Sequence, residues 1–488
     1  MFGITIKSIK LFQRGAAGAL LLVMPLLVAA TAQAAEKDNQ IADKDITNAV
    51  ENELITAEQV ESYRIDVDTA DGIVELSGSV NDLLAKRYAE REAETIKGVR
   101  AVVNRIEVRD SGLRDRQITN HVLAALADDP ATDTWEIRAE VDDGVVTLEG
   151  TVDSYAERDL AEAVTAGAAG VRGIRNKIEV DYNVARGDGE IQRDIQRRLA
   201  TSAWIDDGLI DVEVEQGRVI LSGSVSSAAE KSQVSASAWV AGVTSVDDDA
   251  LEVKWWLHDD MQRESTYTSL DDEQIEEAVR DAFRYDPRIA SFNPTVSVSN
   301  GTVTLTGAVD NLKAKRAAER DARNTKGVWR VNNFLRVRGV DLPNDAEIRT
   351  SVNAALVKDV YIARHEITTT VFNGHVYLYG TVDSQFEKER AEEVASGIDG
   401  VAAVTNYITV DEAYDFASSN DLEIEADIED QLFWSPYVDA DQVNVTVVDG
   451  VATLSGAVDS WAEWGAARDN ALEGGARRVM NQLEVEGS

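Results

Sequence analysis

Four histidines, 88 carboxylates and no cysteine are the raw material for chemistry in this chain. His121, His258, His365 and His375 fall in separate segments with no i, i+4 pair, a pattern that predicts neither a shared metal site nor a histidine-based triad. The run Asp66-Val-Asp68-Thr-Ala-Asp71-Gly72 has the outline of a calcium loop. However, Ala70 stands at a ligand position, the glycine comes one place late, and Ser77 stands where a bidentate Glu belongs. It reads as a hairpin turn. The glycines fall around strands rather than at strand-to-helix turns, so no nucleophile elbow or phosphate loop is indicated. The chain reads as non-catalytic, with no cofactor and no metal.

The informative spacing is basic. Lys313, Arg316, Arg320 and Arg323 recur along one side of a helix, with Ala314, Ala317, Ala318 and Ala322 roughly opposite and facing a sheet. Lys315, Lys326 and Arg330 extend this cluster, and Lys86, Arg87, Arg91, Lys97 and Arg100 form a weaker version earlier in the chain. Two readings stand. One is a solvated face paired locally with Glu319, Asp321, Glu90 and Glu92. The other is a patch for anionic head groups, where each cation near an anionic surface contributes ~1 kcal/mol. Trp255-Trp256-Leu257 forms a second cluster, in a join that continues acidic and Ser/Thr-rich. It either docks on a neighbouring unit or offers a contact to another protein. Trp461 and Trp464, three apart on a helix, belong to the same protein-contact reading, with burial in their own unit as the alternative.

The elements that must carry these residues repeat six times. A turn, a glycine, an alternating strand and a second glycine recur at Gly72/Gly78, Gly144/Gly150, Gly217/Gly223, Gly301/Gly307, Gly374/Gly380 and Gly450/Gly456. All twelve glycines read as structural. Each phrase is preceded by a helix with apolar residues at i, i+4 and i+8, such as Ile46/Val50/Leu54 or Ile191/Ile195/Leu199. A period-two segment such as Ile210-Asp-Val212-Glu-Val214 then completes a hairpin through the Asp-Gly, Asn-Gly or Gln-Gly pair. An Ala/Glu-rich second helix follows, ending near Gly98, Gly170, Gly242, Gly327, Gly400 or Gly475 as a C-cap would. A last alternating strand closes the unit. The predicted fold is α+β: six tandem αββαβ domains, each a three-stranded sheet packed on two helices. The expected division is a signal peptide at 1–34, domains at 45–109, 116–181, 189–253, 272–338, 345–411 and 421–486, and a linker at 254–271 between the third and fourth. Units one and four are closely alike in their second helices, which suggests duplication of a three-unit block.

This pattern resembles the BON domain family. The marks are the G-x-V-x-L-x-G-x-V phrase, the Gly-Val pair after helix two, and the final strand in Asn104-Arg-Ile106-Glu-Val108, Asn176-Lys-Ile178-Glu-Val180 and Asn481-Gln-Leu483-Glu-Val485. Unit three departs, with Asp247-Asp-Asp-Ala250 before Leu251, and unit six has Gly475-Ala476 in place of Gly-Val. The resemblance implies contact with membranes or phospholipids in the cell envelope. Weak binding of an anionic phospholipid surface, or alternatively of envelope proteins as a scaffold or holdase, is the functional expectation.

Composition agrees with that address. Lys7, Lys10 and Arg14 precede an apolar run from Ala16 to Ala30 and a small-x-small site at Ala32-Gln33-Ala34, the layout of a cleaved signal peptide. The run falls short of the ~20 residues a spanning helix needs. With no cysteine there is no disulfide framework and no lipid-modified Cys, which favours a bacterial periplasm. A net charge of −40 opposes nucleic acid at long range and keeps the chain soluble.

Overall fold

The computed structural model describes residues 41–485 except 58, 130, 133–135, 183–185, 257–269, 339–342, 363–365, 384 and 411–419. The leader expected at 1–34 lies outside the described residues, as do Leu257, His258, His365 and most of the predicted linker.

Each repeat folds as helix, strand, strand, helix, strand. In domain 1 these are Asp43–Thr56, Ile65–Ala70, Ile73–Val80, Leu83–Glu94 and a last strand in two pieces, Ala101–Asn104 and Glu107–Val108. The first two strands are antiparallel and the third runs parallel to the second, so helix two is the crossover and the glycine-phrase strand is central. One face of the sheet packs on both helices. Ile46, Val50 and Leu54 from helix one meet Val74 and Leu76 from the central strand, all at most 1% exposed.

The glycines hold their places for different reasons. Asp71 (φ 52°) and Gly72 (φ 71°) both take positive φ, as a two-residue hairpin turn compatible with right-handed strand twist requires. Gly144, Gly217, Gly301, Gly374 and Gly450 repeat that turn.

The second glycine of each phrase occupies the same place in all six units, but not for one physical reason. At Gly78, Gly223 and Gly456 a Cβ would lie 2.0 Å from the carbonyl oxygens of Arg64, Leu209 and Gln442 respectively. At Gly150 and Gly380 it would lie 2.7 and 2.8 Å from those of Glu136 and Glu366. In these five domains the backbone just before strand one leaves no room for a side chain. Gly307 differs, since its Cβ would meet nothing closer than Pro294 Cα at 3.7 Å, an ordinary contact. A backbone φ of 127° is what favours glycine there. Gly150 is the converse case, with the close approach but without the positive φ of the other five. The central strand breaks at Gly150 and Gly307 and runs unbroken through Gly78, Gly223, Gly380 and Gly456. None of these six glycines lines either of the cavities described below.

Gly98 corrects one expectation: helix two ends at Glu94, so Gly98 does not cap it. It lies in the following turn, at φ 91°, where a Cβ would meet Ile46 Cδ1 at 3.2 Å.

Two polar staples recur. The Asp43 carboxylate accepts from the Asp71 and Gly72 N–H groups at 3.0 and 2.9 Å. Asp115, Asp188, Asp272, Asp345 and Asp421 do the same for their own hairpins. The Asn104 amide donates to the Lys86 carbonyl at 2.9 Å and its oxygen accepts from Ile106 N–H, tying strand three to helix two. Asn176, Asn333, Asn406 and Asn481 repeat this second staple. In domain 3 the three aspartates replace it. The strand Ser245–Val253 stays continuous but its register shifts opposite Ile220 and Ser222, and Lys231 Nζ anchors the helix by donating to Leu251 O at 3.0 Å. The departure costs register, not fold.

The six domains pack on one another with the two halves in pseudo-twofold relation. Arg87 of domain 1 pairs with Glu162 of domain 2, and the equivalent Arg316 of domain 4 pairs with Glu392 of domain 5. Lys97 N–H donates to Trp434 O at 2.9 Å, joining domains 1 and 6, while the equivalent Lys326 N–H donates to Thr201 O at 2.8 Å, joining domains 4 and 3. Two contacts link equivalent positions to each other: Lys358 with Asp128 at 3.2 Å, and Trp204 with Tyr437 at 5.1 Å between ring centroids. A duplicated block has closed on itself.

Candidate functional site

The basic second helices form where expected, and their alanine faces are buried: Ala314, Ala317, Ala318 and Ala322 are at most 2% exposed. Domain docking decides where their cations go. Lys313 reaches Asp129 of domain 2 at 2.7 Å, Arg316 reaches Glu392 of domain 5, and Lys326 lies 3.8 Å from Asp207 of domain 3. Arg323 pairs within its own helix with Glu319 at 2.7 Å. In domain 1, Lys86 Nζ donates to Ile106 O at 2.7 Å and Arg87 crosses to Glu162. Arg91 and its pseudo-twofold equivalent Arg320 are exposed and form no ion pair among the described residues. Arg330 lies over the Trp329 ring at 5.3 Å.

The tryptophans also gather at seams. Trp255 and Trp256 are half-buried in an edge-to-face pair, with Lys97 Nζ 5.5 Å from the Trp255 ring centroid. Trp461 of domain 6 lies 5.9 Å from Trp329 of domain 4 and 5.8 Å from Trp464. Of the histidines, His121 Nδ1 lies 3.2 Å from the Ala169 carbonyl. His375 lies 2.8 Å from Thr405 Oγ1 and stacks on Tyr377. His375 begins an aromatic row on the open sheet face of domain 5, continued by Tyr377, Tyr379 and Tyr407, the last two stacked at 5.3 Å.

A cavity of about 650 Å³ opens where domain 6 meets domains 1, 3 and 4, within the range of small-molecule sites. Trp204, Trp329, Trp434, Tyr437, Trp461 and Trp464 line it. So do Glu53, Glu92 and Glu473, none of which forms an ion pair among the described residues. Glu53 is 8% exposed and hydrogen-bonded to Gln431 and Glu92. Desolvation by burial and the neighbouring Glu53 charge push Glu92 up to about 7, against the Tyr88 hydroxyl and Arg91. The lining arginines are engaged elsewhere: Arg323 with Glu319, Arg468 with Asp469 at 2.6 Å, and Arg330 on Trp329.

The pseudo-twofold mate is a cavity of about 430 Å³ between domains 2, 3 and 4. There Arg197 binds Asp281 at 2.8 Å, and Arg288 grips Asp286 with both oxygens of the carboxylate engaged. Arg198 lies 4.4 Å from the Tyr285 ring centroid. Its equivalent in the larger cavity is Gln431. Single-unit reasoning picks out Trp461, Trp464, Arg323 and Arg330 but not Glu53, Glu92, Gln431 or Glu473. Nothing in one repeat marks those four residues, because the cavity is assembled from four.

Among solved structures, a structural protein of the type III secretion system of Chlamydia trachomatis, CdsD, aligns with 45% of this chain and 99% of its own at 14% identity and a TM-score of 0.12, too low to inform either fold or function. Over 148 residues the chain is 31% identical to the osmotically-inducible protein Y of Escherichia coli K12, covering 29% of this chain and 74% of that protein. It is 31% identical over 145 residues to the outer membrane lipoprotein DolP of Haemophilus influenzae, covering 29% and 75% respectively. A 21 kDa hemolysin of Actinobacillus pleuropneumoniae is 30% identical over 154 residues, covering 30% and 78%. The BON domain model matches residues 42–110, 114–182, 187–254, 271–339, 344–412 and 420–487. With six matches along almost the whole described length, and the hairpin and helix-two staples repeated beneath them, the chain belongs to the BON domain family.

Proposed function

We propose that this protein is a non-catalytic, exported component of the bacterial cell envelope that serves osmotic and envelope maintenance through weak contact with anionic phospholipid. The relatives named as osmotically inducible and as an outer membrane lipoprotein support that setting. Among the described residues no helix is long and apolar enough to cross a membrane, so contact would be made at a surface. The observation that carries the reading is the pair Arg91 and Arg320, equivalent in the two halves, exposed, and outside the ion pairs that occupy Lys313, Arg316, Arg87 and Lys326. Two such cations contribute together ~2 kcal/mol at an anionic surface, so binding is weak and salt-sensitive. Co-sedimentation of the full chain with phosphatidylglycerol vesicles tests this. Arg91→Glu with Arg320→Glu is expected to abolish pelleting, and unchanged pelleting would remove the proposal.

A second reading, a protein-binding scaffold or holdase, is favoured by the domain 5 sheet face. Tyr379 is 42% exposed, Tyr407 55% and Phe372 68%, a concentration of exposed rings that suits unfolded apolar clients. Suppression of client aggregation that survives Tyr379→Ser with Tyr407→Ser would count against it.

A further inference from the structure

We propose that the tryptophan-lined cavity at the junction of domains 6, 1, 3 and 4 binds an organic polyamine, its ammonium groups taken by Glu53, Glu92 and Glu473 and its methylene chain by the indole walls.

The argument begins with the difference between the two pseudo-twofold cavities. At the domain 3–4 seam Arg197 binds Asp281, Arg288 binds Asp286, and Arg198 lies over the Tyr285 ring with its charge near Asp281. Asp321, the equivalent of Glu92, forms no ion pair of its own among the described residues but has the charge of Arg288 beside it. At the domain 6–1 seam the position of Arg198 is held by Gln431, and no ion pair reaches Glu53, Glu92 or Glu473 among the described residues. Glu53 is buried and Glu92 half-buried, and carboxylates so placed without a counter-charge are costly, while Glu473 stays exposed to solvent. A cation from outside would restore there what Arg198 supplies on the other side.

The walls select the kind of cation. Aromatic faces attract ammonium groups through their quadrupoles and cover apolar stems. A metal ion would gain nothing from the indoles and would seek an oxygen shell instead. Three carboxyls spread over two domains suit several charges on one flexible chain better than one compact cation. The cavity, at about 650 Å³, leaves room for such a chain and its waters.

The other groups facing the carboxyls fix the pH dependence. Glu92 meets Glu53 and the Tyr88 hydroxyl, with Arg91 nearby; Glu473 meets Glu53, Glu92 and Asp469. Glu53 meets Gln431. Burial raises all three carboxyls, Glu92 to about 7. The anionic form that binds the amine is therefore favoured as pH rises through that value, and affinity increases with it.

The test is a spermidine titration of the full chain, followed by tryptophan fluorescence at about 0.15 M salt, where exposed acidic surface is screened within about 8 Å. Saturable quenching is expected. Gln431→Arg supplies an internal cation and is expected to weaken binding by about tenfold or more, the effect of one well-placed charge pair. Because Arg198 occupies the equivalent position on the same helix, this variant suits the local backbone, and an unchanged melting profile verifies folding. Glu53→Gln is expected to weaken binding similarly, while Arg338→Gln, remote from the cavity, leaves it unchanged. Equal quenching in wild type and Gln431→Arg would overturn the proposal, as would displacement of spermidine by equimolar magnesium. Choline binding more tightly than spermidine would overturn the polyamine assignment.

Discussion

The seam between domains 6 and 1 and the seam between domains 3 and 4 are built on the same backbone contact. Lys97 N–H donates to Trp434 O in one, Lys326 N–H to Thr201 O in the other. Their side chains have diverged in opposite directions. One seam sets arginines on Asp281 and Asp286; the other encloses Glu53, Glu92 and Glu473 among indoles and leaves those three without an ion pair among the described residues. A duplicated block keeps its docking geometry because the backbone groups at the seam must be satisfied whatever the side chains are. The cavity beside that contact is free to vary. Divergence of function within a repeat protein is therefore best sought in the spaces between domains rather than in the repeated phrases.

The largest expected break in this contrast is Arg288→Ala. It leaves Asp286, 7% exposed, without its two-oxygen partner, and a loss of about 3 kcal/mol is expected in urea unfolding. A negligible loss would show that the domain 3–4 seam does not depend on its built-in cations. Next is the pH response of the other seam. Because burial raises Glu92 to about 7, it adds stability that is fully present below the ordinary carboxylate range and is lost as pH rises through about 7. Thermal stability should therefore fall between about pH 5 and about pH 8. Glu92→Gln should flatten that fall by about 1–2 kcal/mol, a figure reduced for partial solvent access. Gln431→Arg, which makes the second seam imitate the first, should stabilise by about 1 kcal/mol at neutral pH in the absence of added amine. The smallest effect is expected at the pseudo-axis, where Trp204 and Tyr437 meet edge to face. Trp204→Leu should cost about 1 kcal/mol beyond its lost area, read as earlier separation of the two halves in hydrogen exchange.

Much of the fold is legible because its signals are local. The i, i+4, i+8 triplets mark the buried stripe of every first helix, and Asp71-Gly72 specifies a turn that needs two positive φ values. The hairpin staple escapes a sequence reading, although an Asp stands at the same distance before every turn glycine, because one more acid among 88 draws no attention. The glycine after helix two is mistaken for a cap for a related reason: proximity to a helix end cannot distinguish a cap from a close approach to Ile46. Identical letters conceal a similar difference at the second glycine of the phrase. Gly78 is held by a neighbouring carbonyl and Gly307 by its own φ, and only the path of the chain before strand one separates the two cases. The basic residues fall along one side of a helix, as their spacing predicts. Their partners are not legible, since Asp129 and Glu392 come from other domains, 184 and 76 residues away along the chain.

By itself the sequence determined six small αββαβ folds, since alternation, helical periodicity and turn chemistry act between residues close along the chain. Only the tertiary structure decided that the units close into two matched halves, that Lys313 and Arg316 bridge domains, and that acids from domains 1 and 6 share a cavity with indoles from four seam-forming elements. The physical reason is that burial within a unit follows periodicity, whereas the environment of a surface charge depends on which surface docks against it. No repeat pattern encodes that choice.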